Sequence, residues 1–177
     1  ILVDVMSEAG LPVISFPPSA AAITVSHKIK SWDTSPMQAA LQAGLIPVIQ
    51  GDTVFDQVLG GTILSTEDCF YHLAPIFKPT AILLAGIEDG VWADYPKNTR
   101  LIPRITPTNL NTIRPALTSS DAVDVTGGML TKVERMIEVV SANPQMTISI
   151  FSGSAPGSIQ NALLGKFSGT ILSNGNY

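Results

Sequence analysis

The sequence predicts an α/β fold, in which helices cover both faces of a mainly parallel sheet. Two junctions carry this prediction, because each runs from a helix through a glycine into a short apolar strand: Ala9-Gly10-Leu11-Pro12-Val13-Ile14 and Ala43-Gly44-Leu45-Ile46-Pro47-Val48-Ile49. Such alternation is typical of parallel sheets. The composition agrees, since 45% of the residues are hydrophobic and 14% are charged, against about 25% charged residues in an average domain.

Length, charge and cysteine content narrow the class of protein. The 177 residues suit a single domain with a substantial core. The net charge of −4 argues against a nucleic-acid partner, and no run approaches the roughly 18 uncharged apolar residues of a membrane span. The single cysteine, Cys69, excludes an internal disulfide framework and a cysteine-based zinc site. We therefore expect a cytoplasmic protein without a membrane partner and without a protein-held metal centre.

Glycine and proline mark the elements that precede residue 65. Gly10 and Gly44 end helices, because glycine readily adopts the left-handed conformation that closes a helix. Ser35-Pro36 begins one, with Ser35 as the expected N-cap and proline at the first helical position. Residues 19–25 are expected to form a loop or an unstable helix. The predicted elements are helices 2–9 and 37–43, strands 11–16 and 45–50, and a hairpin of 52–56 with 62–64.

The elements that follow begin at Ser65-Thr66-Glu67-Asp68, where a serine precedes an acid by three residues, the pattern of a capping box. Residues 86–108 are rich in proline, glycine and polar side chains, and a loop of that length is often functional. The predicted elements are helices 67–77, 109–117, 129–140 and 157–164, and strands 80–85, 146–151 and 169–172. In the helix 129–140, apolar residues recur at helical spacing on one face: Met129, Val133, Met136 and Val140.

The stretch Asp124-Val125-Thr126-Gly127-Gly128-Met129-Leu130-Thr131-Lys132 runs through two glycines into a predicted helix. Helix N-termini present free N–H groups and a partial positive charge, which favour phosphate. Lys132 lies about one turn after Gly128 and could point back at the same ligand. The stretch is therefore a candidate anion site, although an ordinary capped helix with a surface lysine has the same pattern. It is not a Walker motif.

Polar residues also follow the predicted strands, where ligands of open α/β sheets bind. Gly51-Asp52 follows one strand, Gly86 to Gly90 follows another, and Ser152-Gly153 follows a third. Together with Lys132, these acids, glycines and hydroxyl groups suit phosphoryl transfer, where catalysis depends on positioning and charge compensation. Each has a structural alternative, since Asp52 could be a turn residue and Glu88 and Asp89 could be solvated loop acids.

An ordered series of motifs resembles the amino-acid kinase superfamily and, within it, the isopentenyl phosphate kinases. The resemblance covers most of the chain and is strongest over 44–92 and 121–172. The series consists of Pro47-Val48-Ile49-Gln50-Gly51-Asp52, Gly61-Thr62-Ile63-Leu64-Ser65-Thr66-Glu67-Asp68, Leu83-Leu84-Ala85-Gly86, Asp89-Gly90-Val91-Trp92, Asp124-Val125-Thr126-Gly127-Gly128-Met129 with Lys132, Ser152-Gly153 and Gly169-Thr170-Ile171.

This resemblance implies a three-layer αβα sandwich that transfers the γ-phosphate of ATP, with Mg²⁺ held mainly by the nucleotide. Lys132 would touch the ATP phosphates, and Gly127 and Gly128 would let the backbone approach them. The loop Gly86, Asp89, Gly90 and Val91 would hold the nucleoside. Relatives are usually homodimers. The implied reaction is that of isoprenoid biosynthesis, in which isopentenyl phosphate becomes isopentenyl diphosphate.

The resemblance also implies an acceptor side. Glu67 aligns with an acid that orders the catalytic lysines, although many relatives have Asp after Gly where this chain has Thr66-Glu67. Gly51 and Asp52 would lie near the acceptor. An apolar acceptor pocket would be formed by residues that could equally be ordinary core: Phe16, Pro17, Ile23 and Phe55.

The chain departs from the family pattern in one respect. These kinases carry an N-terminal glycine-rich loop with a lysine, then a second such loop before a histidine that binds the acceptor phosphate. Neither is found here, and His27 and His72 stand in other contexts. We therefore expect an N-terminally truncated kinase domain over 1–177 that catalyses little alone. Other superfamily kinases and a non-catalytic fragment remain alternatives, whereas no strand carries the Gly-x-Gly-x-x-Gly of a Rossmann fold.

Overall fold

Helices and strands alternate along the residues that the computed structural model describes, 1–118 and 128–175. The helices are α1 (Leu2–Glu8), α2 (Ser35–Gln42), α3 (Thr66–Phe77), α4 (Leu110–Thr118), α5 (Gly128–Ala142) and α6 (Ser158–Leu163). The strands are β1 (Val13–Ser15), β2 (Ala22–Val25), β3 (Lys28–Trp32), β4 (Ile46–Val48), β5 (Asp52–Asp56), β6 (Gly60–Leu64), β7 (Ala81–Gly86), β8 (Arg104–Ile105), β9 (Thr147–Ser152) and β10 (Thr170–Leu172). A short 3₁₀ turn covers Pro18–Ala20.

The described strands pair in three sheets in which parallel pairs outnumber antiparallel ones. β1 pairs with β4 in parallel. A second sheet has the order β3-β2-β5-β6, with a parallel β2–β5 pair between two hairpins. A third has the order β7-β9-β10-β8, in which only the β9–β10 pair is antiparallel. The predicted α/β class is confirmed.

Two compact units divide the chain, residues 1–69 and residues 70–177. The first unit holds the β1–β4 pair and the sheet of β2, β3, β5 and β6, and the second holds the sheet of β7 to β10. The expectation of one kinase domain over 1–177 stays a prediction.

The core of the second unit forms between α5 and its sheet. One face of α5 buries Val133, Met136, Ile137 and Val140, at the helical spacing that the sequence predicted. These side chains share one cluster with Ile148 and Ile150 of β9 and with Leu172 of β10. Burial of this face fixes the position and the direction of α5 on the sheet.

Most predicted elements are found within a few residues of their expected bounds, but two predictions were wrong. Residues 19–25 are neither loop nor helix, because β2 occupies 22–25 and forms a hairpin with β3. Ser35 is the first residue of α2, not its N-cap; the N-cap is Thr34, and the Asp33 carboxylate accepts the Ser35 N–H at 2.9 Å.

Candidate functional site

The carboxyl ends of β7 and β9 form the edge at which the sequence predicted a nucleotide. Gly86 pairs with Ser152 at the ends of these parallel strands. The Gly153 N–H donates to the Gly86 carbonyl oxygen over 2.9 Å. A Cβ atom on Gly153 would lie 3.2 Å from the Ala85 Cβ, so a larger residue would push the two strand ends apart. The prediction that Gly86 and Ser152-Gly153 meet at one edge is confirmed.

Helix α5 packs against β9 and β10 of this sheet. Four residues separate its last residue, Ala142, from Thr147, where β9 begins, so its N-terminus points towards the carboxyl ends of the parallel strands. Gly128, its first residue, has a φ of 67°, which favours glycine. Lys132 follows one turn later and is half-buried. Gly127 and the preceding motif residues from Asp124 lie outside the described residues.

Residues 86–91, which begin at the last residue of β7, are called the nucleotide loop after the role that the resemblance implies for them. Gly86 and Asp89 are exposed, whereas Gly90 is buried and Val91 is fully buried in the core. The Val91 side chain therefore packs inward, and its part in a nucleotide site would be to hold the loop. Glu88 fastens the loop, because its carboxylate accepts the Trp92 indole N–H at 2.8 Å and the Asn98 amide N–H at 3.1 Å.

The long segment after the nucleotide loop is an ordered hairpin. Trp92 and Leu101 form an antiparallel bridge, and Asp94 closes the turn between them. The Asp94 carboxylate accepts hydrogen bonds from the Thr99 hydroxyl and from the backbone N–H groups of Thr99 and Arg100. These bonds, the Thr99 hydroxyl first, hold the pKa of the Asp94 carboxyl below its usual range.

In the first unit, Gly51 lies between β4 and β5, close to the start of α3, and Asp52 is the first residue of β5. A Cβ atom on Gly51 would lie 3.2 Å from the Leu64 carbonyl oxygen. The Asp52 carboxylate accepts the backbone N–H groups of Ser19, at 3.0 Å, and of Thr53, at 2.9 Å. Hydrogen bonding to Ser19 lowers the pKa of Asp52. Asp52 thus holds the 3₁₀ turn against β5 as a carboxylate.

The start of α3 carries the predicted capping box. The Asp68 backbone N–H donates to the Ser65 hydroxyl oxygen at 3.1 Å, and the Asp68 carboxylate accepts from the Ser65 hydroxyl at 2.8 Å and from its N–H at 3.3 Å. Glu67 is half-buried beside it in the first turn. Burial raises the pKa of the Cys69 thiol to about 12, and the carboxylates of Asp68, Glu67 and Asp52 add to this effect. These three carboxylates therefore surround one helix start.

The proposed apolar residues take different positions in the first unit. Phe16 is half-buried and its N–H donates to the Val48 carbonyl oxygen at 2.8 Å. Phe55 is 67% exposed, so it is not a core residue. It pairs in register with Ile23, which is half-buried on the same face of the sheet. Ile63, two residues along β6 from the partner of Phe55, is also exposed on this face.

Sequence reasoning missed the part that Asp56 plays in the same sheet. Asp56 is buried, and its carboxylate accepts the Thr24 hydroxyl and four backbone N–H groups, those of Ser26, His27, Val58 and Leu59. Burial alone would raise the pKa of Asp56, but the hydrogen bonds reverse this and hold it far below its usual value. One carboxylate thus fixes two hairpin turns.

Comparison with known proteins places this chain among enzymes of one family. The sequence model of the Amino acid kinase family matches residues 1–152. The chain belongs to the amino acid kinase family. Curated relatives include the isopentenyl phosphate kinases of Methanocaldococcus jannaschii, 34% identical over 172 residues, and of Methanothermobacter thermautotrophicus, 29% identical over 168 residues. These alignments cover 97% and 92% of this chain.

Solved structures support the same fold. A structure titled as isopentenyl phosphate kinase matches with a TM-score of 0.79 at 25% identity, over 97% of this chain. An N-acetylglutamate synthase from Neisseria gonorrhoeae, with a TM-score of 0.60 at 16% identity, shares the fold alone. The amino acid kinase fold that the sequence predicted is therefore confirmed.

This amino acid kinase chain spans only part of its relatives. It covers 62% of the Methanocaldococcus protein and 64% of the first structural match. Within the described residues, no helix is long and apolar enough to cross a membrane. Across 1–118 and 128–175, no group of three or more His, Cys, Asp or Glu side chains is placed to hold a metal ion.

Proposed function

We propose that the full-length protein transfers the γ-phosphoryl group of ATP to isopentenyl phosphate, giving isopentenyl diphosphate and ADP. The observation that carries this proposal is the edge formed by the carboxyl ends of β7 and β9, towards which the N-terminus of α5 points. The isopentenyl phosphate kinases among the relatives support the choice of acceptor. The reaction would serve isoprenoid biosynthesis.

The nucleotide phosphates would lie at the start of α5. The N–H groups of the first helical turn favour anions, and the Lys132 ammonium group would compensate the charge that develops on the transferred phosphoryl group. Gly127 and Gly128 would keep this approach free of side chains, while Gly86, Asp89 and the backbone of Gly90 and Val91 would hold the nucleoside. Mg²⁺, bound mainly to the phosphate oxygens, would neutralise their charge.

The acceptor would lie against the first unit. Glu67, at the start of α3, would take the part of the acid that orders the catalytic lysines in the family. Gly51 and Asp52 would shape this end, since Asp52 holds the 3₁₀ turn through Ser19. The exposed side chain of Phe55 and the half-buried side chain of Phe16, both in the first unit, would contact the isopentenyl group. An acceptor with a hydrocarbon tail would bury this surface.

Two further features belong to the proposal. We propose a homodimer, because the kinases that the sequence resembles are usually dimers, and a cytoplasmic location, where MgATP is available. Size-exclusion chromatography with light scattering tests the dimer directly. A mass equal to one chain at micromolar concentration would contradict it.

The acceptor is tested by measuring ADP release from MgATP by the full-length natural protein. Isopentenyl phosphate, acetylglutamate, fosfomycin and UMP are compared at equal concentrations, with the 177-residue chain as a parallel sample. We expect turnover with isopentenyl phosphate alone. Turnover with another acceptor would keep the kinase and overturn the apolar acceptor, whereas no turnover with any would favour the non-catalytic alternative.

A further inference from the structure

The nucleotide loop is joined to strand β10 by one buried hydroxyl group. Thr170 is fully buried. Its Oγ1 accepts a hydrogen bond from the Val91 N–H at 2.8 Å and donates one to the Ile102 carbonyl oxygen at 2.6 Å. These two bonds join residues that are 79 and 68 positions apart in the sequence, so no local sequence pattern predicts them.

The hydroxyl group takes the place of one of the two backbone hydrogen bonds expected between Val91 and Ile102. Ile102 donates its N–H to the Val91 carbonyl oxygen at 2.8 Å. In a hydrogen-bonded antiparallel pair the reverse bond would run directly from the Val91 N–H to the Ile102 carbonyl. Here Thr170 stands between these groups and satisfies both. Because Val91 is 0% and Ile102 9% exposed, water has no ready access to replace the hydroxyl.

Two glycines allow this close approach, Gly90 in the nucleotide loop and Gly169 just before β10. A Cβ atom on Gly90 would lie 2.7 Å from the Thr170 hydroxyl oxygen and 2.9 Å from its backbone nitrogen. Gly169 has a φ of 74°, and a Cβ atom there would overlap the Ile150 carbonyl oxygen and lie 2.5 Å from that of Asp89. The backbone of the loop from Asp89 to Val91 therefore rests directly on β10.

We propose that Thr170 is a positioning residue for nucleotide binding. It fixes the buried end of the nucleotide loop, Gly90 and Val91, and so sets where the exposed Gly86 and Asp89 stand at the carboxyl edge. Thr170 itself lies in the core and does not touch the ligand. The inference rests on the proposed function, because it assumes that this loop holds the nucleoside of ATP. It predicts an effect on nucleotide affinity, with little effect on the chemical step.

Two variants of the full-length protein test the role of the hydroxyl group. Thr170→Val keeps the shape of the side chain and leaves the Val91 N–H and the Ile102 carbonyl unpaired, whereas Thr170→Ser keeps the hydroxyl. We expect Thr170→Val to raise KM for ATP by about tenfold or more, the scale of losing paired buried polar groups. The kcat and the KM for isopentenyl phosphate should change by less than about threefold. Thr170→Ser should stay close to wild type.

A readout of the loop separates positioning from simple stability. The Trp92 indole N–H, which bonds to Glu88 in this segment, gives a resonance that Trp92→Phe identifies in a ¹H–¹⁵N spectrum. It should shift in Thr170→Val and stay in place in Thr170→Ser. Thr147→Val, at the amino end of β9, is the matched control and should leave KM for ATP unchanged. If Thr170→Val does not fold, Thr170→Ala should show the same rise in KM.

Failure of the inference and failure of the proposed function give different results. If Thr170→Val lowers the melting temperature but leaves KM for ATP and the Trp92 resonance unchanged, Thr170 is merely structural and the inference is overturned. Should the wild type bind ATP but not phosphorylate isopentenyl phosphate, the proposed acceptor fails, and the inference is decided by equilibrium dialysis of radiolabelled ATP with the same variants. A wild type that does not bind ATP would overturn both.

Discussion

The Thr24 hydroxyl group donates a hydrogen bond to the buried Asp56 carboxylate over 2.9 Å. This bond joins β2 to its parallel neighbour β5, and the two bonded residues are 32 positions apart in the sequence. The same carboxylate accepts N–H groups from the β2–β3 turn, where Ser26 and His27 both have positive φ, and from the β5–β6 turn. Ser26 and His27 therefore occupy turn positions where glycine or asparagine is usual, and Asp56 stabilises the turn by accepting their N–H groups.

Replacing Asp56 by Asn should destabilise the protein at neutral pH, because an amide cannot accept this set of N–H groups. The carboxyl pKa is lowered in the folded state, so its contribution to stability is fully present above an unfolded pKa of about 3.9 and is lost progressively as the pH falls from there towards the folded pKa. Melting temperatures of wild type and Asp56→Asn should thus differ most at pH 7 and converge towards pH 2.5. Glu8→Gln, an exposed change, should show no such pattern; equal melting temperatures at pH 7 would contradict the assigned network.

Replacing Ser65 by Ala should lower the free energy of unfolding by about 1 kcal/mol, the usual effect of losing an N-cap hydroxyl. The Asp68 N–H then loses its acceptor at 3.1 Å, and the reciprocal bond to the carboxylate is broken. Urea denaturation followed by circular dichroism measures the change. Ser65→Thr keeps the hydroxyl and should lose much less, and an alanine variant as stable as the threonine variant would argue against the capping box.

Features set by residues close together in the sequence could be predicted, whereas features that depend on a distant residue could not. The capping box at Ser65, the α5 stripe and the hairpin of 52–56 with 60–64 are local patterns, and the structure has all three. Strand β3 was missed because its turn contains Ser26 and His27, which carry no ordinary turn signal and depend on Asp56 from a distant strand.

The features of the candidate site also fall into those that the sequence could predict and those that it could not. The meeting of Gly86 with Ser152 could be predicted, because carboxyl ends of parallel strands share an edge. The burial of Val91 and the bond from its N–H to Thr170 could not, because they depend on which strand packs beneath the loop. The exposure of Phe55 likewise follows from the register of β5 with β2 and β6, which the residue type does not reveal.

Stability should fall on mild acidification because of His72. Burial in α3 lowers the pKa of this imidazole, so the folded state resists the proton that the unfolded state accepts below about pH 6.5. His72 therefore leaves the free energy of unfolding unchanged above that pH and lowers it increasingly as the pH falls below it. The loss of melting temperature between pH 7.5 and pH 5.0 should be smaller in His72→Gln than in wild type. Equal losses in both proteins would show that His72 does not titrate unfavourably.

The central claim is that the start of α5 binds the phosphates of ATP and that Lys132 stabilises the transferred group. The most direct measurement compares the initial rate of isopentenyl diphosphate formation by full-length wild type and Lys132→Met, with melting temperatures as the control for folding. Loss of one charge-stabilising group should lower kcat by about 10²-fold or more while the melting temperature stays within a few degrees. A Lys132→Met enzyme that is folded and nearly as fast as wild type would contradict the account.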